Sequence, residues 1–275
     1  MPTLAGIFTY PIKSCAAIGH PTVDLDTFGL QGDRRWMIVD AEGVLITQRE
    51  TPALALVHPT LDAQSLRLTA PSMPEITIPL TQEARPLRTV KVWEDTVIAD
   101  DEGDPVGTWL SDYLHQTARL VKVGAKFDRP VSTKYATRPT QTTFTDGFPI
   151  LVVTTASLDD LNQRLLERGA DPIPMSRFRP NLIIEGGTPF AEDTWHTIEI
   201  GSVTLDIIKP CARCVMTTVD QATGTVPDHT EPLATLNTFR KQDGKVMFAQ
   251  NAIHRAPGQL SIGDSVIIRE FAHAE

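Results

Sequence analysis

The chain has 275 residues, 41% of them hydrophobic and 21% charged, with a formal net charge of −9. This length holds one large domain or two of ordinary size, and the apolar fraction supports a sizeable core rather than a disordered chain. The acidic balance disfavours non-specific binding to nucleic acid or to anionic membranes, without excluding a local basic pocket.

The first part of the chain alternates as strands do. Residues 4–10 and 35–40 are the clearest runs; a turn at 41–43 closes the second, and 44–47 answers it. Runs at 54–57, 66–68, 76–78 and 89–93 follow, divided by Pro, Gly and Asp turns, a spacing that predicts an antiparallel sandwich or barrel. Asp104-Pro105 then predicts a helix start, since Asp can cap it and Pro suits the first helical position. Val106, Trp109, Leu110 and Leu114 recur at helical spacing. The chain is divided near residue 118, into units 1–118 and 119–275, and 124–142 reads as a polar loop containing Pro130 and Pro139. Residues 149–154 predict a buried strand. Ser157-Leu158-Asp159-Asp160 opens a helix like a capping box with Asp in place of Glu, Leu161, Leu165 and Leu166 give it an apolar face, and Gly169 suits its end. Strands are expected at 182–184, 198–200 and 203–208 and again from Cys214, a short helix at 233–239, and last strands at 244–248 and 265–268. The expected class is α+β, mostly β, with a few helices.

Cys15, Cys211 and Cys214 are the only cysteines, too few and too odd in number for a secreted disulfide framework, and they fit the reduced thiols of a cytosol. No run approaches the roughly 18 apolar residues that span a bilayer, and the N-terminus lacks the pattern of a signal peptide. A cytoplasmic protein is expected. Two of the cysteines fall in Lys209-Pro210-Cys211-Ala212-Arg213-Cys214, where fixed positive charge favours the thiolate. A thiolate is a nucleophile, a redox group or a soft metal ligand. A zinc site would need two more Cys or His at short spacing; His229 follows, but Leu233 and Ala234 stand where a second His would sit. A thioredoxin-like pair would open a helix after a strand, whereas the run 215–219 is strand-like. Two small buried thiols at a turn is the plainest alternative.

Nucleotide loops are absent: neither G-x-G-x-x-G nor G-x-x-x-x-G-K-[ST] occurs. A phosphate would have to be held by side chains. Lys13, Arg34, Arg179 and Arg213, each in a strand–turn context, are the candidates, although solvent exposure is the ordinary fate of any one alone. Asp146, before Gly147, is a general acid, a ligand-orienting group or a turn former. His20, His58, His115, His196, His229, His254 and His273 form no cluster.

Seven segments together resemble one family. They are Tyr10-Pro11-Ile12-Lys13-Ser14-Cys15, Asp33-Arg34-Arg35-Trp36, Thr47-Gln48-Arg49, Phe178-Arg179-Pro180-Asn181, Ala191-Glu192-Asp193-Thr194-Trp195, Cys211-Ala212-Arg213-Cys214 with Thr217-Thr218-Val219-Asp220, and Phe248-Ala249-Gln250-Asn251. The ordered set is similar to the MOSC-domain proteins, above all the mitochondrial amidoxime-reducing components and their bacterial relatives. The resemblance implies an N-terminal β-barrel-like domain, a β-barrel MOSC domain after it, and a pterin-based molybdenum cofactor between them. It implies Cys214 as the protein ligand to molybdenum, and Lys13, Ser14, Arg34, Arg179, Asn181 and Arg213 as the residues that hold the molybdopterin and its phosphate. Asp146 matches an acidic position beside the cofactor and is the expected proton donor.

The chain departs from the family at Gly147-Phe148, where small polar residues are common, and it carries no cysteine after Cys214 where many bacterial relatives have an iron–sulfur domain. The implied activity is a molybdenum-dependent reduction of N-hydroxylated compounds (amidoximes, hydroxylamines, N-hydroxylated bases), independent of pyridoxal phosphate. Electrons would come from an external flavin reductase, ferredoxin-type or cytochrome-type protein. A monomer, with neither nucleic-acid nor membrane partners, is expected. The alternative is a carrier that passes on the cofactor, or sulfur as a Cys214 persulfide.

Overall fold

A computed structural model describes residues 1–80, 84–136 and 138–272; His273 and residue 137 of the expected loop lie outside them. The fold is mostly β, with three α-helices among the described residues: α1 (Asp104–Leu114), α2 (Thr155–Glu167) and α3 (Leu233–Asn237). None of them is long and apolar enough to cross a membrane.

The largest sheet runs in the order Val266–Phe271, Trp195–Ile200, Val203–Ala212, Lys245–His254, Ile150–Thr154, Leu182–Glu185, Thr3–Thr9 and Ile18–Gly19. Neighbours are antiparallel except Ile150–Thr154 beside Leu182–Glu185, and α2 provides the crossover that a parallel pair requires. The first strand of the chain thus pairs with Leu182–Glu185 from the second half. In return, Gly258–Ser261 pairs with Thr22–Asp26. This interlocking brings the segment after Thr9 up against Asn181, whose carbonyl accepts from Phe8 N.

A four-stranded sheet of Trp36–Val39, Arg119–Lys122, Asp95–Asp101 and Leu87–Val92 and a three-stranded sheet of His58–Leu61, Ser65–Thr69 and Ile76–Pro79 make up the rest of the first half. Alternate residues of these strands bury Leu66, Leu68, Ile38 and Leu120 against the apolar stripe of α1, which contributes Val106, Trp109 and Leu110.

Local chemistry corrects several expectations. The run 54–57 belongs to a 3₁₀ turn, Pro52–Leu56, and the strand follows at His58–Leu61; Pro52 presets the turn's φ and has no N–H for a ladder. Residues 44–47 make only isolated bridges, Val39 with Leu45 and Val44 with Lys91. No strand starts at Cys214. Val203–Ala212 ends before it, and Val215–Thr218 is a 3₁₀ turn in which Thr217 and Thr218 hydroxyls donate to the Cys214 and Val215 carbonyls. Gly103, not Asp104, caps α1, and Asp104 instead accepts from Arg119 at 2.6 Å. Leu166 faces solvent, 54% exposed, while Leu161 and Leu165 are buried.

The cap of α2 also lies earlier than expected. Thr154 Oγ1 accepts from Ser157 N, and the carboxylate that completes the motif is Glu192 from a distant turn. Glu192 is 1% exposed and accepts from Thr154 N, Thr154 Oγ1 and Ser157 Oγ at 3.3, 2.9 and 2.7 Å. Burial raises its carboxyl pKa, while the hydrogen bonds from Ser157 and Thr154 oppose the rise. Glu192→Ala strands these buried donors, and a loss of at least about 2 kcal/mol in urea denaturation is expected. Glu192→Gln keeps an acceptor oxygen and is expected to lose less.

Candidate functional site

The turn after Thr3–Thr9, the loop 143–149, the turn ending at Arg179 and the end of Val203–Ala212 converge on one open cleft of about 830 Å³, a volume that includes solvent space at its mouth. Lys13, Ser14, Arg34, Asp146, Arg179, Asn181, Arg213 and Cys214 all line it. Every residue the sequence singled out for a cofactor therefore meets in one place. Three of them, Ser14, Arg34 and Arg179, have positive φ of 69°, 46° and 54° without being glycine. Such backbone is costly and gathers where side chains must be aimed. Here it turns three polar groups into one cleft.

Two guanidinium groups meet over one ring: Arg34 and Arg179 lie 4.5 and 4.2 Å from the centroid of Tyr10. Arg34 is paired, donating to Asp33 at 2.6 Å and to Asn181 Oδ1 at 3.1 Å. Arg179 is 5% exposed, and its one side-chain hydrogen bond among the described residues goes to the neutral Gln221 at 3.1 Å. Burial, with Arg34 nearby, brings its pKa down to about 10. Burial likewise pushes the Tyr10 phenol up to about 12. Gln221 is itself held by Gln48, so Thr47-Gln48-Arg49 supports the pocket from the first half. Asn181 has a framework role as well: its Nδ2 donates to Phe8 O, and its Oδ1 also accepts from Leu151 N.

Among the described residues, four buried polar atoms of the pocket find no hydrogen-bond partner: Ser14 Oγ and the guanidinium atoms Arg177 Nε, Arg179 Nη2 and Arg213 Nε. Buried donors without partners are rare and call for an explanation. A group that brings anionic acceptor oxygens fits them, as the phosphate of a pterin cofactor would.

The cysteines are partnered differently from their order in sequence. Arg213 Nη1 donates to Cys211 Sγ at 3.0 Å and its Nη2 to Phe178 O at 2.8 Å. Cys214 Sγ accepts instead from Arg49 Nε at 3.4 Å. The arginine beside Cys214 in the chain is thus not the one beside it in space. Cys15 is buried, and burial lifts its thiol to about 12. Among the described residues no cluster of three or more His, Cys, Asp or Glu could hold a metal. Cys211 and Cys214 therefore lack the further protein ligands of a structural zinc site.

Lys13 Nζ donates to Asp146 Oδ1 at 2.5 Å. Burial lowers the Lys13 pKa against the opposing pull of Asp146. Desolvation opposes the charge on Asp146 too, but Lys13, Arg49 and Arg34 outweigh it and hold the carboxyl well below the usual carboxylate range. The side chain stays 67% exposed at the open mouth, so attraction to the cations sets the direction. These cations favour the carboxylate form of Asp146, which suits a charge-pairing or orienting role in the cleft. Because its folded value lies below the unfolded 3.8, the unfolded chain binds more protons beneath that value. Its contribution to stability is present above about pH 4 and is lost as pH falls. Thermal unfolding of wild type and Asp146→Asn at a series of pH values checks this: the gap between them is expected to close on the acid side.

Gly147 leaves open space, with no atom within 4 Å of where a Cβ would stand. Phe148 lines the cavity and meets Tyr135 edge-to-face at 5.6 Å, with Lys209 Nζ 5.2 Å from its ring centroid. Sequence reasoning gave no role to Arg49, Arg177 or Asn251, which also line the cavity. Arg177 fixes the turn after Cys214, donating to Thr218 O at 2.6 Å. None of the described histidines lines this cleft.

The family pattern of the MOSC N-terminal beta barrel domain matches residues 1–117, and that of the MOSC domain matches residues 139–267. The chain is 34% identical over 284 residues to mitochondrial amidoxime-reducing component 1 of Mus musculus, covering 97% of this chain and 82% of that protein. It is 33% identical over 283 residues to mitochondrial amidoxime reducing component 2 of Rattus norvegicus, covering 96% and 82%. It is also 34% identical over 286 residues to molybdenum cofactor sulfurase of Danio rerio, covering 96% of this chain but 34% of that longer protein.

Proposed function

The chain belongs to the MOSC-domain family, alongside the mitochondrial amidoxime-reducing components, and from this premise we propose that it is a molybdenum-cofactor-dependent reductase of N-hydroxylated compounds. The observation that carries the reading is the pocket itself. Residues far apart in sequence bring Lys13, Ser14, Arg34, Arg179 and Arg213 to one cleft beside Cys214, and buried donors there still want acceptors.

In this reading Arg179, Arg213 and Ser14 hold the phosphate and pterin through the atoms left unpartnered in the cleft. Cys214 gives its thiolate to molybdenum, a soft ligand matched to a soft site, and Arg49 holds the sulfur in place. The cofactor, when bound, supplies the two electrons that cleave the N–O bond. The protein supplies orientation and protons. Asp146 accepts from Lys13 Nζ at 2.5 Å and would steady its ammonium form, which makes Lys13 the proposed proton carrier beside the cleft. Electrons come from a separate donor protein of flavin reductase, ferredoxin or cytochrome type. The cytoplasm remains the proposed compartment, with all three cysteines free.

Expression with a supply of cofactor, molybdenum analysis of the purified protein, and amidoxime reduction with an artificial electron donor test the proposal. Wild-type protein without molybdenum or pterin sinks it. The likeness to molybdenum cofactor sulfurase favours one other reading, a carrier that holds sulfur on Cys214 or hands on the cofactor. Intact mass and peptide mapping decide between them: one added sulfur atom on Cys214 in metal-free protein supports the carrier.

A further inference from the structure

Trp93 stands at the first of the two residues that join Leu87–Val92 to Asp95–Asp101, and its φ is 58°. Two-residue hairpin turns fill positive-φ positions with Gly, Asn or Asp. A bulky aromatic residue there is an outlier, and hairpin closure gives no reason for it. The contacts of the side chain supply one. The indole Nε1–H donates to Asp146 Oδ1 at 3.1 Å, the same oxygen that accepts from Lys13 Nζ. The ring face carries the Arg49 guanidinium at 4.0 Å, and Arg49 Nε in turn donates to Cys214 Sγ at 3.4 Å. Lys13 Nζ lies 5.3 Å from the same ring. One half-buried side chain thus touches both chemical ends of the pocket.

We propose that Trp93 is a positioning residue of this site, whose N–H fixes the Asp146 carboxylate while its ring face presses Arg49 onto Cys214 Sγ. The proposal rests on the reading of the pocket as the place of reaction. With Lys13 and Trp93 both on Oδ1, the carboxylate is held by two donors of different kinds, and no donor among the described residues reaches Oδ2. The strained turn is what aims the indole: a relaxed turn residue such as Gly would close the hairpin but reach neither Arg49 nor Asp146.

Two substitutions separate the two contacts. Trp93→Phe keeps a face for Arg49 and loses the N–H, whereas Trp93→Leu loses both. Turnover per bound molybdenum is expected to fall about tenfold in Trp93→Phe, the loss typical of a supporting partner, with KM almost unchanged, and further in Trp93→Leu. The deciding measurements are a double-mutant cycle and a spectroscopic one. In the cycle, Trp93→Phe added to Asp146→Ala is expected to cost nothing more, because alanine leaves the indole N–H no acceptor at that position and the bond is already gone; losses that multiply overturn the proposal. In the spectrum of the full chain labelled with ¹⁵N-tryptophan, the Trp93 indole signal, assigned by its absence in Trp93→Phe, is expected to shift in Asp146→Asn and in Arg49→Ala. A signal that ignores both substitutions also overturns it. The indole signal needs no substrate. A responsive signal in a protein without amidoxime turnover therefore condemns the functional reading alone, and an unresponsive one in an active enzyme condemns the role of Trp93 alone.

Discussion

Cys214→Ser is expected to yield a folded protein whose amidoxime turnover falls by more than about a hundredfold, beyond the ten- to hundredfold range of outer supporting residues. Cys211→Ser is expected to stay within about threefold of wild type, the effect of one modest hydrogen bond. The structure separates two thiols that lie three positions apart and line the same cavity. Cys211 Sγ is occupied as an acceptor for Arg213, which is anchored at its other end on Phe178 O. A serine oxygen accepts from a guanidinium as readily as sulfur does, so that arrangement survives the exchange. Cys214 begins a turn, is backed by one donor from Arg49, and faces the cavity that Lys13, Arg34 and Arg179 also line. Serine is a poor substitute there, since its hydroxyl is neither soft nor ionised at neutral pH. Molybdenum content and initial rates of both variants, measured side by side, check the prediction. Equal losses would mean that the thiols act as a pair, and equal retention would remove Cys214 from the chemistry.

Much of the pocket was legible in the sequence because its cations sit in short strand–turn motifs with local punctuation: Pro11 before Lys13, Gly32-Asp33 before Arg34, Pro180 after Arg179. Partners were not legible, since they depend on which strands meet. Arg213 was read as the neighbour of Cys214, yet side chains of an extended segment alternate, so residues two apart share a side. Arg213 accordingly meets Cys211, and the place beside Cys214 is left to Arg49. Arg49 was quoted in its motif without a role, as nothing local indicates that it crosses to the far half. Trp93 was hidden more completely, because its run 89–93 looks like an ordinary strand end and only the backbone shows the left-handed turn. The 3₁₀ turn after Cys214 was missed for another reason. Val215-Met216-Thr217-Thr218-Val219 has strand composition, but threonine hydroxyls bond back to nearby carbonyls and Arg177 takes the carbonyls of Thr217 and Thr218. The interlocking of the halves explains why the site needs both: Lys13 reaches the cleft only because Thr3–Thr9 is a strand of the other half's sheet.

Arg179→Met is expected to move two measurements in opposite directions. In cofactor-free protein it raises the unfolding temperature, and in protein made with cofactor it abolishes retention of the pterin. Arg179 is a charge taken out of water without a carboxylate of its own: it is 5% exposed, bonded to a neutral amide, stacked on a phenol and close to Arg34, which Asp33 already pairs. Its Nη2 is buried without a partner. Replacing buried ionic groups by apolar side chains of similar volume is often neutral or stabilising, by about 1–4 kcal/mol. At about 2–4 °C per kcal/mol for a chain of this size, a rise of several degrees is within reach of calorimetry. On the proposed reading a bound anion would reverse the sign: a ligand at a hundred times its dissociation constant stabilises by about 2.7 kcal/mol, and only the folded state offers the cleft. On the proposed reading, the pocket holds more cations than its own Asp146 can pair and so gives up stability for an anion that binds there, a common trade of stability for function. If Arg179→Met lowers the unfolding temperature of the cofactor-free chain, the guanidinium is a structural tie between Tyr10 and Gln221 and the anion argument loses its main support. If it raises that temperature yet leaves cofactor content intact, the phosphate is held elsewhere, and Arg213 and Ser14 become the residues to test.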